Sequence, residues 1–112
     1  MCAAEPDPSR PRCCPQYHEA IELIGRRWTG AIVEILLQGG SLRFSEISAA
    51  VPALSDRLLS DRLKELEARG LVERTVHGGP PLKVEYVLTE MGIELEPAVG
   101  ALKVWAQRWL IS

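Results

Sequence analysis

Apolar residues recur at spacings of three and four in two stretches of the first forty residues, which predicts two helices. The first helix begins at Pro15, because proline suits the first turn of a helix, and it breaks at Gly25. The second has Thr29 as its N-cap and ends at Gly39-Gly40. Since this second stretch is almost wholly apolar, we expect the helix to be buried on most sides.

The next segment predicts a short helix, a tight turn and a longer helix. Residues 42–44 form a short extended piece, and Ser45 caps a helix of one to two turns through Ala50. Pro52 cannot continue a helix and restricts the residue before it. The longer helix is capped by Ser55 and stopped by Gly70 in the left-handed conformation. Two helices joined in this way form a helix-turn-helix unit.

The longer helix has two distinct faces. At about 100° per residue, Leu63 and Leu66 fall close to Leu59, and these three leucines face the core. The far side carries Arg57, Ser60, Asp61 and Lys64.

Two interpretations of the far side remain open at this point. In a DNA-binding unit it enters the major groove, where Arg57 suits guanine edges and Ser60 suits a base or a phosphate. Alternatively it is a solvated face with ion pairs along the helix, because residues 55–74 hold five basic and five acidic groups.

A hairpin is predicted directly after the helix-turn-helix. Residues 71–76 and 82–88 largely alternate apolar with polar, and the Gly-Gly-Pro-Pro turn at 78–81 separates them. This order is the winged-helix layout. The tip, with His77 and the nearby Lys83, is placed to meet the DNA backbone or minor groove, although a plain surface hairpin accounts for His77 equally well.

The tail after Thr89, a predicted cap, has more apolar surface than one small domain needs. One helical stripe carries Leu95, Val99, Leu102, Ala106 and Trp109, with Trp105 beside it. Aromatic anchors dominate many partner interfaces, so we expect a dimer contact here, the alternative being cover for the domain's own core.

Composition qualifies this interpretation without reversing it. The chain has 112 residues, 46% of them hydrophobic, which suits a single domain. With 13 basic and 15 acidic residues its net charge is −2, whereas DNA-binding proteins usually show a basic surface. No apolar run approaches the roughly 20 residues that span a bilayer, and no export signal precedes the domain. We therefore expect a cytoplasmic protein without a membrane partner.

Candidate catalytic and metal-binding groups are sparse. The two histidines lie near no nucleophile–acid pair, and there is no phosphate loop, dinucleotide turn or HExxH motif. Cys13, Cys14 and His18 crowd one helix end without a fourth ligand, so we expect no metal and no cofactor. An odd count of three cysteines also argues against a disulfide framework. The chain is not expected to be an enzyme.

The order of these features resembles one family, the HxlR-type winged helix-turn-helix transcriptional regulators of the MarR-like superfamily. The resemblance covers about residues 13–110. It is carried by Cys14-Pro15, Trp28-Thr29, Arg43-Phe44, Leu54-Ser55, Leu59–Glu67, Gly70–Arg74, Pro80-Pro81, Val84-Glu85-Tyr86, Leu88-Thr89 and Gly92.

The resemblance implies an α+β, mainly helical fold: a winged helix-turn-helix with a β-hairpin wing and N- and C-terminal dimerisation helices over residues 14–112. Residues 1–13, rich in proline, form a flexible arm. The resemblance also implies a homodimer that binds a palindromic promoter site in double-stranded DNA. The expected DNA-binding residues are Arg43, Ser45, Ser55, Asp56, Arg57, Ser60, Asp61, Arg62, Lys64, His77 and Lys83. The expected dimer residues are Tyr17, Ile21, Leu95, Val99, Leu102, Trp105, Ala106 and Trp109.

Cys14 is the sensing candidate, with Cys13 as an extra neighbour. It begins the first helix, where unpaired N–H groups favour a thiolate, and several members of the family use a cysteine at the matching position to sense oxidants or electrophiles. A bond between subunits or alkylation of one thiol is easier than a bond between adjacent cysteines. A small, partly buried cysteine without a signalling role is the alternative. For the whole chain, the alternative function is a winged-helix module that binds protein without sequence-specific DNA binding.

Overall fold

The computed structural model describes residues 10–110, and these form a winged helix-turn-helix as predicted. The elements of this part are α1 (Pro15–Ile24), α2 (Thr29–Gly39), β1 (Ser41–Leu42), α3 (Phe44–Ala50), α4 (Asp56–Ala68), β2 (Val72–His77), β3 (Lys83–Leu88), α5 (Glu90–Ile93) and α6 (Glu96–Trp109). Most of the predicted arm, residues 1–9, lies outside the described residues. Within residues 10–110 no helix is long and apolar enough to cross a membrane.

The core lies between α2, α4 and the inner face of the sheet. Its largest aliphatic side chains in the two helices are Ile32, Val33 and Leu36 of α2, and Leu59, Leu63 and Leu66 of α4. Full burial of one such side chain stabilises the fold by about 1.5–3 kcal/mol. The leucine stripe therefore fixes the inward side of α4 and, with it, the outward side.

The sheet has three strands in the order β1-β3-β2, all antiparallel. The hairpin of β2 and β3 is the predicted wing. Strand β1 was predicted only as an extended piece, and it pairs with the base of the wing through Ser41 opposite Val87 and Leu42 opposite Tyr86. A two-residue strand is too short to show an alternating pattern, so its pairing could not be derived from the sequence.

Three predicted helix signals are present as expected. Ser55 caps α4, its Oγ accepting a hydrogen bond from the Leu58 N–H at 3.2 Å. Gly70 follows the C-cap with a φ of +83°, a conformation that costs glycine little. Thr89 caps α5, accepting from the Gly92 N–H at 3.3 Å while donating to the Gly70 carbonyl at 2.6 Å.

Two predicted caps were wrong by one or two residues. Trp28, not Thr29, is the N-cap of α2, and Trp28 takes a left-handed φ of +76° while Thr29 is buried inside the first turn. Arg43, not Ser45, is the N-cap of α3, because the Glu46 carboxylate accepts a hydrogen bond from the Arg43 N–H at 2.7 Å and closes the first turn earlier.

Gly92 lies where the start of α5 packs against the sheet, so a larger residue has no room. A Cβ at this position would stand 2.5 Å from the Leu71 carbonyl oxygen and 3.2 Å from the Leu88 Cβ. We expect Gly92→Ala to lower the free energy of unfolding by about 1–3 kcal/mol through overpacking, measured by urea denaturation at fixed protein concentration.

Gly100→Ala in α6 is the matched control, since nothing lies within 4 Å of the position that a Cβ would take there. It should leave stability unchanged or raise it by up to about 1 kcal/mol, because alanine favours helix more than glycine does. Equal losses in the two variants would contradict the steric explanation.

Candidate nucleic-acid interface

Helix α4 is anchored on one flank by the junction between α1 and α2. The Arg62 Nε donates a hydrogen bond to the Arg27 carbonyl at 3.0 Å. One turn further along α4, the Glu65 carboxylate lies 3.4 Å from the Arg26 Nη2. These contacts set the orientation of α4 against the body of the domain.

The opposite flank of α4 faces the wing. Here a shallow cleft of 120 Å³ separates the helix from the sheet, lined by Ser60, Leu63, Lys64, Glu67, Arg74 and Tyr86. Between the two flanks the outer face of α4 is open: Arg57, Asp61 and Lys64 are exposed and Ser60 is half-buried. The structure thus brings four of the predicted DNA-binding residues onto one accessible face.

Other predicted DNA-binding residues of the helix-turn-helix make contacts inside the protein. Ser55 caps α4 through its side-chain oxygen. Asp56 accepts a hydrogen bond from the Ser48 Oγ at 2.8 Å and so fixes the turn between α3 and α4. The Arg62 side chain is only 12% exposed and pairs with Glu65 at 3.3 Å. These three side chains position α4, the helix expected to read the DNA and called the reading helix below. We leave them out of the proposed DNA contacts.

Arg43 and Ser45 stand at the start of α3. Both are exposed, and Arg43 precedes the helix as its N-cap. They lie before the turn that joins α3 to α4, and not on the outer face of α4.

Arg74 is a basic residue of the interface that the sequence pattern did not single out. It lies in β2 opposite Tyr86 of β3, on the face of the wing that turns toward α4. The alternation of β2 contains the signal, because side chains two apart share a face and Val72 is buried against the core. Arg74 and Lys64 therefore border the same cleft from two elements.

Some basic side chains of the chain form ion pairs with acids, and others do not. Within residues 10–110, arginine and lysine side chains that pair with acids outside the wing include Arg26, Arg62, Arg69 and Lys103. The cations around α3, α4 and the cleft that enter no ion pair in this part of the chain are Arg43, Arg57, Lys64 and Arg74. The acids Asp61 and Glu67 of α4 also enter no ion pair among the described residues, so these cations are available for a partner but are not in excess over the neighbouring acids.

The two predicted wing residues share one carboxylate. The Glu85 Oε1 lies 3.0 Å from the His77 Nε2, and its Oε2 lies 3.5 Å from the Lys83 Nζ. The Ser41 Oγ donates to the same carboxylate at 3.2 Å. Burial tends to raise the pKa of Glu85, but Lys83, Ser41 and His77 together outweigh it and hold that pKa below its ordinary value. The carboxylate is therefore ionised at neutral pH.

Apolar side chains on α1 and α6 are left open to solvent. The predicted dimer residues that are at least about half exposed are Tyr17, Ile21, Leu102, Trp105 and Trp109. Leu95 and Val99 instead pack against the protein's own core, and Ala106 is half-buried. The start of α6 therefore covers the domain's own core, which was the alternative to a dimer contact, whereas the outer half of α6 does not.

Cys14 is the N-cap of α1, and its Sγ accepts a hydrogen bond from the Tyr17 N–H at 3.4 Å. Cys14 is half-buried and disulfide-bonded, whereas Cys13 is an exposed free thiol. The disulfide departs from the expectation drawn from the odd cysteine count. An odd count only requires that one thiol is left over, and it does not prevent a pair from forming.

Known proteins resemble the chain in sequence and structure. A family model described as HxlR-like helix-turn-helix matches residues 23–112. The uncharacterized HTH-type transcriptional regulator YvaP of Bacillus subtilis is 47% identical over 97 residues, which cover 87% of this chain and 89% of YvaP. The reduced form of the transcriptional regulator YodB from B. subtilis has a TM-score of 0.79 and 40% identity, covering 88% of this chain and 95% of YodB.

The redox regulator HypR in its reduced form has a TM-score of 0.77 and 38% identity, covering 83% of this chain and 91% of HypR. Structures of YodB after diamide treatment and with bound quinone, and of HypR in its oxidized form, are similar to the chain as well.

Proposed function

The chain belongs to the HxlR-like helix-turn-helix family and is a transcriptional regulator, and from this premise we propose that it binds a palindromic promoter site as a homodimer controlled by the Cys14 thiol. The observation that carries the proposal is the open face of α4. There Arg57, Ser60, Asp61 and Lys64 lie between the flank anchored through Arg62 and the flank that faces the wing.

This face supports insertion into the major groove. A helix about 10–12 Å wide fits that groove, and residues in its N-terminal half reach base edges. Arg57 lies in the first turn of α4, so we assign it to base contact. Lys64 and Arg74 border the cleft between helix and wing, and we assign them to phosphates. His77 and Lys83 are assigned to the backbone or minor groove beside the wing.

The exposed faces of α1 and α6 support the homodimer. Leu102, Trp105 and Trp109 recur at helical spacing on the outer half of α6 and are each more than half exposed. Tryptophan is enriched among residues that contribute most to interfaces. Pairing two copies through these faces would present two reading helices to successive turns of the duplex, which is why the site is expected to be palindromic.

The position of Cys14 supports thiol control. Cys14 is disulfide-bonded in the structure, so control through its thiol first requires reduction of that bond. The reduced sulfur would then lie at the positive end of α1, which stabilises the thiolate that reacts with oxidants. In the reduced protein, diamide would join the Cys14 thiol to a second thiol, and the two thiols would give up two protons and two electrons that convert the N=N bond of diamide to a hydrazine. A quinone would form a carbon–sulfur bond with it and become a hydroquinone, which keeps the thiol proton.

No catalytic step is part of this proposal, because members of the family are transcriptional regulators. A regulator of promoters works in the compartment that contains the chromosome, and we therefore propose a cytoplasmic location.

Footprinting of the intergenic DNA beside the gene tests the proposal. Protein reduced with dithiothreitol is expected to protect a two-fold symmetric site with half-sites about 34 Å apart. Affinity should fall about 10³-fold or more between about 50 and about 200 mM salt if six or more phosphates are contacted. Diamide should change the affinity of the wild type and of Cys13→Ser about tenfold, but not that of Cys14→Ser.

A different result would contradict each part of the proposal. Absence of binding at low salt in both redox states would remove the DNA-binding homodimer, and salt-independent binding to a protein partner would favour an interaction module. Protection of a single unsymmetric half-site would remove the palindrome. A diamide response retained in Cys14→Ser would remove thiol control through this residue.

A further inference from the structure

Glu85 lies at the centre of a polar cluster on the outer face of the wing. Lys83 and Glu85 are two apart on β3 and share a face, and His77 pairs with Lys83 in the strand register. The carboxylate thus reaches the Lys83 ammonium on its own strand at 3.5 Å and the His77 imidazole on the neighbouring strand at 3.0 Å. Its side chain is 17% exposed, against 56% for His77 and 45% for Lys83.

The carboxylate is also held by the body of the domain. Ser41 of β1 donates to the Oε1 of Glu85 at 3.2 Å, and the Thr75 hydroxyl donates to the Glu85 backbone carbonyl at 3.3 Å. Lys83 and His77 are more exposed, whereas the Glu85 carboxylate between them is held from β1 and the Glu85 backbone is held from β2. An anchored acid is well placed to retain its partners.

We propose that Glu85 is an internal competitor of DNA: its carboxylate occupies the wing donors Lys83 and His77 and so limits the affinity that the wing adds. A carboxylate and a phosphate offer the same N–H donors the same kind of charged acceptor. Phosphate contact through the wing therefore requires Lys83 and His77 to leave Glu85, and the lost ion pairs offset part of the gain. This inference rests on the proposed contact between the wing and DNA.

The chain contains a matched control for the charge itself. Glu73 lies on the same face of the wing, opposite Val87, and enters no ion pair within residues 10–110. Glu73→Gln and Glu85→Gln remove the same charge from the same face, but only Glu85→Gln releases Lys83 and His77. A difference between the two variants isolates the release.

The experiment measures binding of the reduced full chain to a fluorescein-labelled random-sequence duplex about three helical turns long, by anisotropy between about 50 and about 200 mM salt. Glu85→Gln is expected to raise affinity about threefold to tenfold and to steepen the logarithmic salt dependence by about one. Glu73→Gln should raise affinity less than twofold, roughly, since a distant exposed charge is screened. Circular dichroism confirms that each variant is folded.

A double-mutant cycle with Lys83→Gln makes the test specific. Lys83→Gln should cost little in the wild type, where the cation is already neutralised, and several times more in the Glu85→Gln background. Equal effects of Glu85→Gln and Glu73→Gln, additive behaviour in the cycle, or weaker binding by Glu85→Gln would each overturn the proposal.

Failure of the underlying wing contact has a different signature. If Lys83→Gln left affinity and salt dependence unchanged in both backgrounds, the wing would not touch DNA at all. If Lys83→Gln weakened binding equally in both backgrounds, the wing contact would stand and Glu85 would have no competing role.

Discussion

Leu102→Asp is expected to convert the protein from a dimer to a monomer and to lower its affinity for promoter DNA about a hundredfold or more. Leu102 is 63% exposed on the outer half of α6, and Trp105 and Trp109 share its stripe. A carboxylate there would lose its water on dimerisation without gaining a partner, which costs several kcal/mol for each copy. Two linked half-site contacts would then become single ones.

The dimer prediction is checked by light scattering after gel filtration and by DNA anisotropy on the same samples. Gln107→Asp is the matched control, because position 107 lies on the same helix but away from the Leu102 stripe. It should remain dimeric with unchanged DNA affinity. Trp105→Ala should weaken the dimer in the same direction as Leu102→Asp. If Leu102→Asp stayed dimeric with its fold intact, the interface would have to lie elsewhere.

Local signals explain why much of the fold followed from the sequence. Ser55 and Gly70 bracket α4, and each acts through backbone groups within three or five residues. The leucine stripe between them has a helical period that needs no knowledge of the remaining chain. The errors at Trp28 and Arg43 have a related origin, because there a less favoured residue takes the cap that a nearby threonine or serine seemed to offer.

Contacts between distant segments explain what the sequence did not reveal. Ser41 reaches Glu85 across 44 residues, and only the pairing of β1 with β3 brings them together. The sharing of Glu85 between His77 and Lys83 likewise depends on the hairpin register. The net charge of the chain did not indicate which cations are available, for the same reason. It does not distinguish Arg62, which is engaged inside the fold, from Arg57, which is exposed.

The contrast between Arg62 and Arg57 reduces the number of residues that are expected to contact DNA directly. Of the eleven DNA-binding residues expected from the sequence, Ser55, Asp56 and Arg62 serve the protein's own structure. Their removal would disturb α4 as a whole, so a loss of DNA binding in such variants would say little about base contact. Arg57 and Lys64 make no such structural contacts. Variants at these two positions can therefore distinguish base recognition from electrostatic attraction to phosphates.

Arg57→Ala is expected to lower affinity for the promoter site by about 1–3 kcal/mol for each half-site, or about 2–6 kcal/mol for a dimer, and to relax base preference at one position. Lys64→Ala should weaken specific and random DNA alike and reduce the salt slope by about one. Arg69→Ala removes the same charge from the C-cap of α4, where Arg69 pairs with Glu19 at 2.7 Å, and should leave DNA affinity unchanged.

Anisotropy titrations on the promoter site, on single-base variants of it and on random duplex distinguish these three outcomes. Base preference can relax only where a side chain touches a base edge, so a uniform loss in Arg57→Ala would reassign Arg57 to the phosphates. An equal loss in Arg69→Ala would mean that total charge, and not the outer face of α4, determines binding. A relaxed base preference in Arg57→Ala is the expected result, because Arg62 and Glu65 hold one flank of α4 against the junction of α1 and α2 and leave Arg57 exposed on the outer face.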